Sequence, residues 1–244
     1  MPQIVLKTLR FTALLTAVLF PSSALAQTAV PSAVTPQPIQ KDGVQFRELE
    51  PLSSARILKF DAPKWVIDPA KAYRAVLETS KGKLTVELYP QVAPKTVNSF
   101  VFLALNHYYD GVPFHRVLEN FMAQTGDTTG TGTGGPGYQF FVELDSKYNF
   151  DKPGVLGMAR SSSLESNGSQ FFITFVPYQS LSGQYTVFGK LLEGADVLAK
   201  LAKVDPQNPR PDLKPDLIER VTVLEEAKLQ AAPANLPTTE PAKK

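Results

Sequence analysis

Apolar and polar residues alternate along two short runs near residue 80. The first runs through 73–79 and meets Ser80, Lys81, Gly82 and Lys83. In the second, Leu84, Val86 and Leu88 alternate with Thr85, Glu87 and Tyr89. Two such runs around a short glycine-containing loop predict a β-hairpin. The period then changes. Pro94 suits the first turn of a helix, and Val97, Phe100, Val101, Ala104 and Leu105 fall on one helical face. A turn at 107–111 closes it. Short apolar runs follow at 114–118, 121–124, 138–142, 155–159, 171–175 and 186–191, separated by turns. A second amphipathic helix is predicted over about 195–203, from Val197, Leu198, Leu201 and Ala202, and a last strand over about 217–224. Many short strands at this spacing indicate a sandwich or barrel, and two helices fit as caps over a barrel's open ends.

The ends of the chain break these patterns. Residues 1–26 read as a secretory signal peptide: Lys7 and Arg10 precede an apolar stretch at 11–20, and Ala24, Leu25 and Ala26 form a small-x-small cleavage site. The stretch is short for a bilayer span, so no membrane association is expected after cleavage, and the mature chain should start near Gln27. Residues 27–45 are rich in Pro, Thr, Gln and Ala and read as a disordered linker. Residues 46–71 are too apolar for a free linker and are expected to pack on the outside of the domain, with Trp65 as an anchor. The domain itself should span 72–226, with a loose tail at 227–244.

Composition narrows the chemistry. The 244 residues contain no cysteine and two histidines, His107 and His115. That excludes a disulfide framework and a thiolate metal site, and no metal or other cofactor is expected. The net charge is +2, and both surplus positive charges sit in the signal peptide. A near-neutral chain argues against nucleic-acid binding. Of 21 prolines only six lie between residues 70 and 205, whereas 14 of 15 glycines do. This is the pattern of a turn-dense folded centre with extended arms. The sequence GTGTGG at 130–135 imitates a dinucleotide loop, but Pro136 and Gly137 follow where a helix must start. It reads instead as a tight surface loop whose backbone lies close to something.

Several motifs in register carry the function. These are FHRVLENFMAQTGD at 114–127, GVLGMA at 154–159, NGSQFFIT at 167–174 and YTVFGK at 185–190, supported by APKTVNSF at 93–100 and NHYYDG at 106–111. Together they resemble the cyclophilin-type peptidyl-prolyl cis–trans isomerases over about 72–226, in the form of a bacterial, exported member. The resemblance implies a mainly β fold, a closed eight-stranded antiparallel β-barrel capped by two α-helices. It also implies an enzyme that turns X–Pro bonds in proline-containing unfolded or folding polypeptides outside the cytoplasm, in the periplasm, cell envelope or medium. The chain is expected to act as a monomer.

X–Pro rotation faces a barrier of about 18–20 kcal/mol from amide resonance, and no covalent bond has to break. A catalyst must grip the proline ring and favour the twisted state, in which the prolyl nitrogen becomes a hydrogen-bond acceptor. The resemblance assigns that donor to Arg116. It assigns the proline pocket to Phe121, Met122, Phe172 and Leu181. Gln124 and Gln170 are expected to bind substrate backbone and orient Arg116, while Ala159, Arg160 and Ser161 line the extended peptide. Tyr185 stands where relatives often carry a histidine. Ser180 stands where animal relatives carry the tryptophan that contacts cyclosporin, so weak inhibition by that drug is expected. Leu118, Glu119 and Asn120 replace the usual apolar-Pro-Gly turn, and the 160–166 loop (RSSSLES) is atypical. The rival readings are a proline-binding module with little turnover and a scaffold whose 27–69 arm docks a partner.

Overall fold

The computed structural model describes residues 44–227; the expected signal peptide and most of the expected linker and tail lie outside them. Along the chain run β1 (Phe46–Glu48), β2 (Tyr73–Thr79), β3 (Gly82–Leu88), α1 (Pro94–Leu105), β4 (Val112–Pro113) and β5 (Arg116–Leu118). Then come β6 (Met122–Thr125), β7 (Val155–Met158), β8 (Phe171–Thr174), a 3-10 turn (Gln179–Leu181), β9 (Val187–Glu193), α2 (Ala195–Lys200) and β10 (Leu217–Glu226).

The hairpin forms where alternation put it, with β2 and β3 paired from Tyr73↔Leu88 to Thr79↔Gly82. Tyr73, Ala75, Leu77, Leu84, Val86 and Leu88 are buried on one face, as a period of two requires. All pairings are antiparallel, in the order β1-β10-β2-β3-β9-β7-β8-β6-β5, with β4 joined to β10. The fold is mainly β with two helices, as expected, but strand pairing does not close the sheet into the expected eight-stranded barrel. Ten strands form among the described residues, and the hydrogen-bonded path ends at β1 and β5 without pairing. The 111–117 segment spans that seam by separate bonds: Gly111 N–H to the Ile218 carbonyl, Phe114 N–H to Asp216, and Val117 N–H to Val204, at 2.7, 2.8 and 2.7 Å. The predicted run at 138–142 makes only an isolated bridge, Phe140 to Asn167.

Two apolar clusters fill the interior. The larger joins the inner sheet face to α1, where the Phe100 ring lies 5.2, 5.5 and 5.7 Å from Tyr109, Phe171 and Phe188. The smaller contains Met122, Phe150, Val155, Phe172 and Val187. No helix among the described residues is long and apolar enough to cross a membrane.

Helix α1 is buried on nearly every side rather than on the single face its periodicity suggested; even Thr96, Asn98 and Ser99 are enclosed. Its N-terminus lacks a local side-chain cap. The Glu143 carboxylate replaces one, accepting the N–H groups of Lys95 and Thr96 at 3.0 and 2.8 Å. The polar side of α1 is covered by the chain that precedes β2. Asn98 accepts the Val66 N–H at 2.7 Å and donates to the Lys64 carbonyl at 3.0 Å. Phe60 meets Phe102 edge-on at 4.8 Å, and Ile67 is buried. Trp65, expected to anchor this segment, is 57% exposed; Phe46, Phe60 and Ile67 take that place. Strand β1 is held by Glu225, whose buried carboxylate meets Arg47 at 2.6 Å, Lys71 at 3.0 Å and the Tyr73 hydroxyl at 2.7 Å.

Helix α2 stops at Lys200, short of the expected end, because Leu201 turns to extended backbone.

Candidate active site

Strand β5 delivers Arg116 to the sheet surface, in register with Gln124 on β6. The turn between the two strands explains how Leu118, Glu119 and Asn120 can replace an apolar-Pro-Gly turn. Asn120 adopts φ +59°, a left-handed conformation that Asn tolerates better than most residues, and the Phe121 N–H closes onto the Leu118 carbonyl at 3.1 Å. Phe121 then faces the Arg116 guanidinium, which lies 5.6 Å from its ring centroid. Arg116 makes no ion pair with any described residue, and it lines the pocket beside Phe121.

The floor beside Arg116 is aromatic. Phe172 on β8 is stacked on Phe150 at 5.6 Å and meets Tyr185 edge-on at 5.9 Å. Gly157 on β7 makes this packing possible: a Cβ there would stand 2.5 Å from Phe172 Cζ and 2.8 Å from Phe150 Cζ. Met122 lies beneath, fully buried, and Leu181 enters from the 3-10 turn. The resulting pocket holds about 120 Å3 and is lined by Arg116, Phe121, Met122, Gln124, Ala159, Arg160, Phe172, Leu181 and Tyr185. Its size and apolar walls suit one small ring, with a cation at the rim.

A larger groove of about 640 Å3 adjoins it and shares Gln124, Ala159 and Arg160. Gln170 and Ser161 line this groove rather than the small pocket. The Gln124 amide donates to Gln170 Oε1 at 3.0 Å, whereas Gln170 Nε2 donates to the carbonyls of Gly132 and Gly134 at 3.0 and 2.9 Å. The Gln124 amide is thus engaged with Gln170, and the Arg116 guanidinium donates to neither glutamine side chain. Residues 132–135 of the glycine cluster form one wall of the groove. It is organised by Asp127, which accepts the N–H groups of Thr129, Gly132 and Gly134. Burial alone would raise the Asp127 pKa, but these bonds and the Thr129 hydroxyl outweigh it and lower it to about 2.

Arg160 is locked in place. Its guanidinium donates to the Gln184 carbonyl at 2.9 and 3.0 Å and to the Ser161 carbonyl at 2.8 Å, and lies 4.7 Å from the Tyr185 ring centroid. His115 is buried next to Arg116 but faces a separate pocket formed with the 203–213 loop. Burial lowers its pKa, against the opposing pull of Asp127. Among the described residues no group of three or more His, Cys, Asp or Glu side chains could hold a metal ion.

Sequence reasoning missed Phe150, which supports the pocket floor, and Lys59, which lines the groove from outside the motif region. Phe150 lies in a stretch that carried no motif, and Lys59 had no local signal at all.

Comparison with known proteins identifies the family. The family model for cyclophilin type peptidyl-prolyl cis-trans isomerase/CLD matches residues 74–223. A peptidyl-prolyl cis-trans isomerase-like 1 from Emericella nidulans is 43% identical over 151 residues, covering 61% of this chain and 93% of that protein. The peptidylprolyl isomerase domain and WD repeat-containing protein 1 of Mus musculus is 42% identical over 156 residues, 62% of this chain; the match spans 23% of that longer relative. A crystal structure of a Cryptosporidium parvum cyclophilin type peptidyl-prolyl cis-trans isomerase, determined in the presence of the dipeptide Ala-Pro, superposes with TM-score 0.58 at 34% identity, covering 62% of this chain and 98% of that one. With the family model matched across most of the described residues, the chain belongs to the cyclophilin-type peptidyl-prolyl cis–trans isomerase family.

Proposed function

We propose that the protein is a peptidyl-prolyl cis–trans isomerase that accelerates X–Pro rotation in folding exported proteins. The observation that carries this reading is the small apolar pocket with Arg116 at its rim. Phe121, Met122, Phe172 and Leu181 hold the proline ring, which keeps one side of the bond still. As the bond twists, the prolyl nitrogen regains its lone pair, and Arg116 donates to it. The planar ground state offers no such acceptor, so the interaction favours the twisted state selectively. Gln124, Ala159 and Tyr185 complete the pocket, and Arg160, Ser161 and Gln170 lie along the adjoining groove.

Arginine suits this role because its guanidinium stays charged and its fork of donors is rigid. No cofactor enters this reading. Export is supported by the charged, apolar and small-residue order of residues 1–26. Sequencing the N-terminus of the secreted chain tests it, with Gln27 as the expected first residue.

The catalytic reading is tested by cis–trans exchange in a short X–Pro peptide. Arg116→Ala is expected to lower kcat/KM by about 10²–10³-fold, the effect of removing one transition-state donor. Equal rates in both proteins would remove Arg116 from the mechanism. Absence of catalysis in both would favour a proline-binding module.

A further inference from the structure

The segment that covers α1 also builds one wall of the groove, although it lies outside the family match at 74–223. It reaches the 132–137 loop by three contacts. Lys59 Nζ donates to the Gly135 carbonyl at 2.7 Å, and the Phe60 N–H donates to the Pro136 carbonyl at 2.8 Å. Gly137, at φ +103°, lies so close to Phe60 that a Cβ would stand 2.5 Å from the Phe60 carbonyl oxygen. The Lys59 ammonium thereby lines the groove together with the Arg160 guanidinium. Both line the cavity, and none of its other lining residues is Asp or Glu. Glu165, on the 160–166 loop, is exposed and outside the lining.

We infer that Lys59 makes this groove selective for an acidic side chain near the substrate proline, so that the N-terminal segment is a specificity element. The inference rests on the isomerase reading. The groove is continuous with the proline pocket through Gln124, Ala159 and Arg160. A peptide that seats proline in the small pocket therefore runs one flank past two cations. An acidic side chain there gains Coulomb attraction at both, and a basic one is repelled by both. Lys59 is exposed, so the gain is modest and falls with salt.

The test uses the full mature chain and short peptides with Glu, Ala or Lys placed in turn at the three positions on either side of proline. At low salt, the best Glu peptide should exceed its Ala counterpart in kcat/KM by about three- to fivefold, within the range of exposed ion pairs. Lys59→Gln keeps a donor for the Gly135 carbonyl but removes the charge, and should bring the Glu/Ala ratio close to that left by Arg160 alone. Lys59→Glu should lower it further, and Lys59→Arg should restore it. The wild-type ratio should shrink in 0.5 M salt, where the Debye length falls to a few ångströms. A wild-type ratio within twofold of one at every position, or a ratio unchanged in Lys59→Gln, overturns the inference while leaving the isomerase reading intact. Absence of catalysis on the Ala peptide overturns the isomerase reading itself.

Discussion

The side-chain amide of Gln124 donates to the side-chain carbonyl of Gln170 at 3.0 Å, tying β6 to the residue just before β8 at the boundary between the two cavities. Because Gln170 passes its own amide to the Gly132 and Gly134 carbonyls, one side chain sets both the groove wall and the orientation of Gln124. Gln170→Ala removes all of these bonds together. A fall in kcat/KM of about tenfold is expected, equivalent to about 1.4 kcal/mol. The measurement is the exchange rate on a neutral X–Pro peptide, and a rate within twofold of wild type would show that the loop keeps its place unaided.

Gly157→Ala should act on the proline pocket from behind. The added methyl meets Phe172 and Phe150 at distances no side chain adopts, so Phe172 must move. Overpacking of this kind costs about 1–3 kcal/mol. The expected result is a lowered Tm together with a raised KM for the peptide, read by thermal unfolding and initial rates. An unchanged KM would mean that Phe172 retreats away from the pocket.

Asp127 gives the fold an acid-sensitive loop. Its folded pKa, about 2, lies below the ordinary carboxylate value of 3.8. The stability it contributes is therefore complete above pH 3.8 and lost as pH falls towards 2. A depression of this size corresponds to about 2 kcal/mol. Urea unfolding between pH 6 and pH 2 should show this acid loss, and Asp127→Asn should be less stable at neutral pH with a shallower acid limb. Parallel curves for the two proteins would assign the acid sensitivity elsewhere.

Ser180 lies exposed in the 3-10 turn beside Leu181, and the family resemblance sets it where animal relatives carry the tryptophan that contacts cyclosporin. Without that aromatic surface the drug loses a large contact, so inhibition weaker than nanomolar is expected in a rate titration. Ser180→Trp should tighten it. Nanomolar inhibition of the wild type would show that the remaining groove suffices.

The hairpin and α1 were legible because each repeats a local period, two or 3.6, over a full element. Seven of the nine residues around the small pocket were legible for another reason: they sit in motifs that follow one another in order along the chain, while Arg160 and Leu181 lie just outside those motifs. The seam of the sheet was not, since it depends on bonds from 111–117 to residues near 204 and 216–218. Nor was the failure of 138–142 to form a strand. Its apolar alternation is genuine, but Glu143 is drawn to the N-terminus of α1 and the run departs after one bridge. Trp65 shows the limit of reading hydrophobicity as burial, since the covering segment is anchored by Phe60 and Ile67 around it. Lys59 is charged, exposed and remote from every motif, and only the folded chain brings it to the groove.

The position of β10 sets an order on assembly. The last strand among the described residues lies between β1 and β2 and also supports β4, so it is interior to the sheet rather than an edge. A nascent chain can close the β2–β3 hairpin early, because that contact is local, but three other strands wait for residues 217–226. Formation of the full sheet thus waits for residues 217–226. A truncated product lacking β10 would present the open backbone edge of β2 to its neighbours, so premature termination should yield aggregates rather than a weakened enzyme.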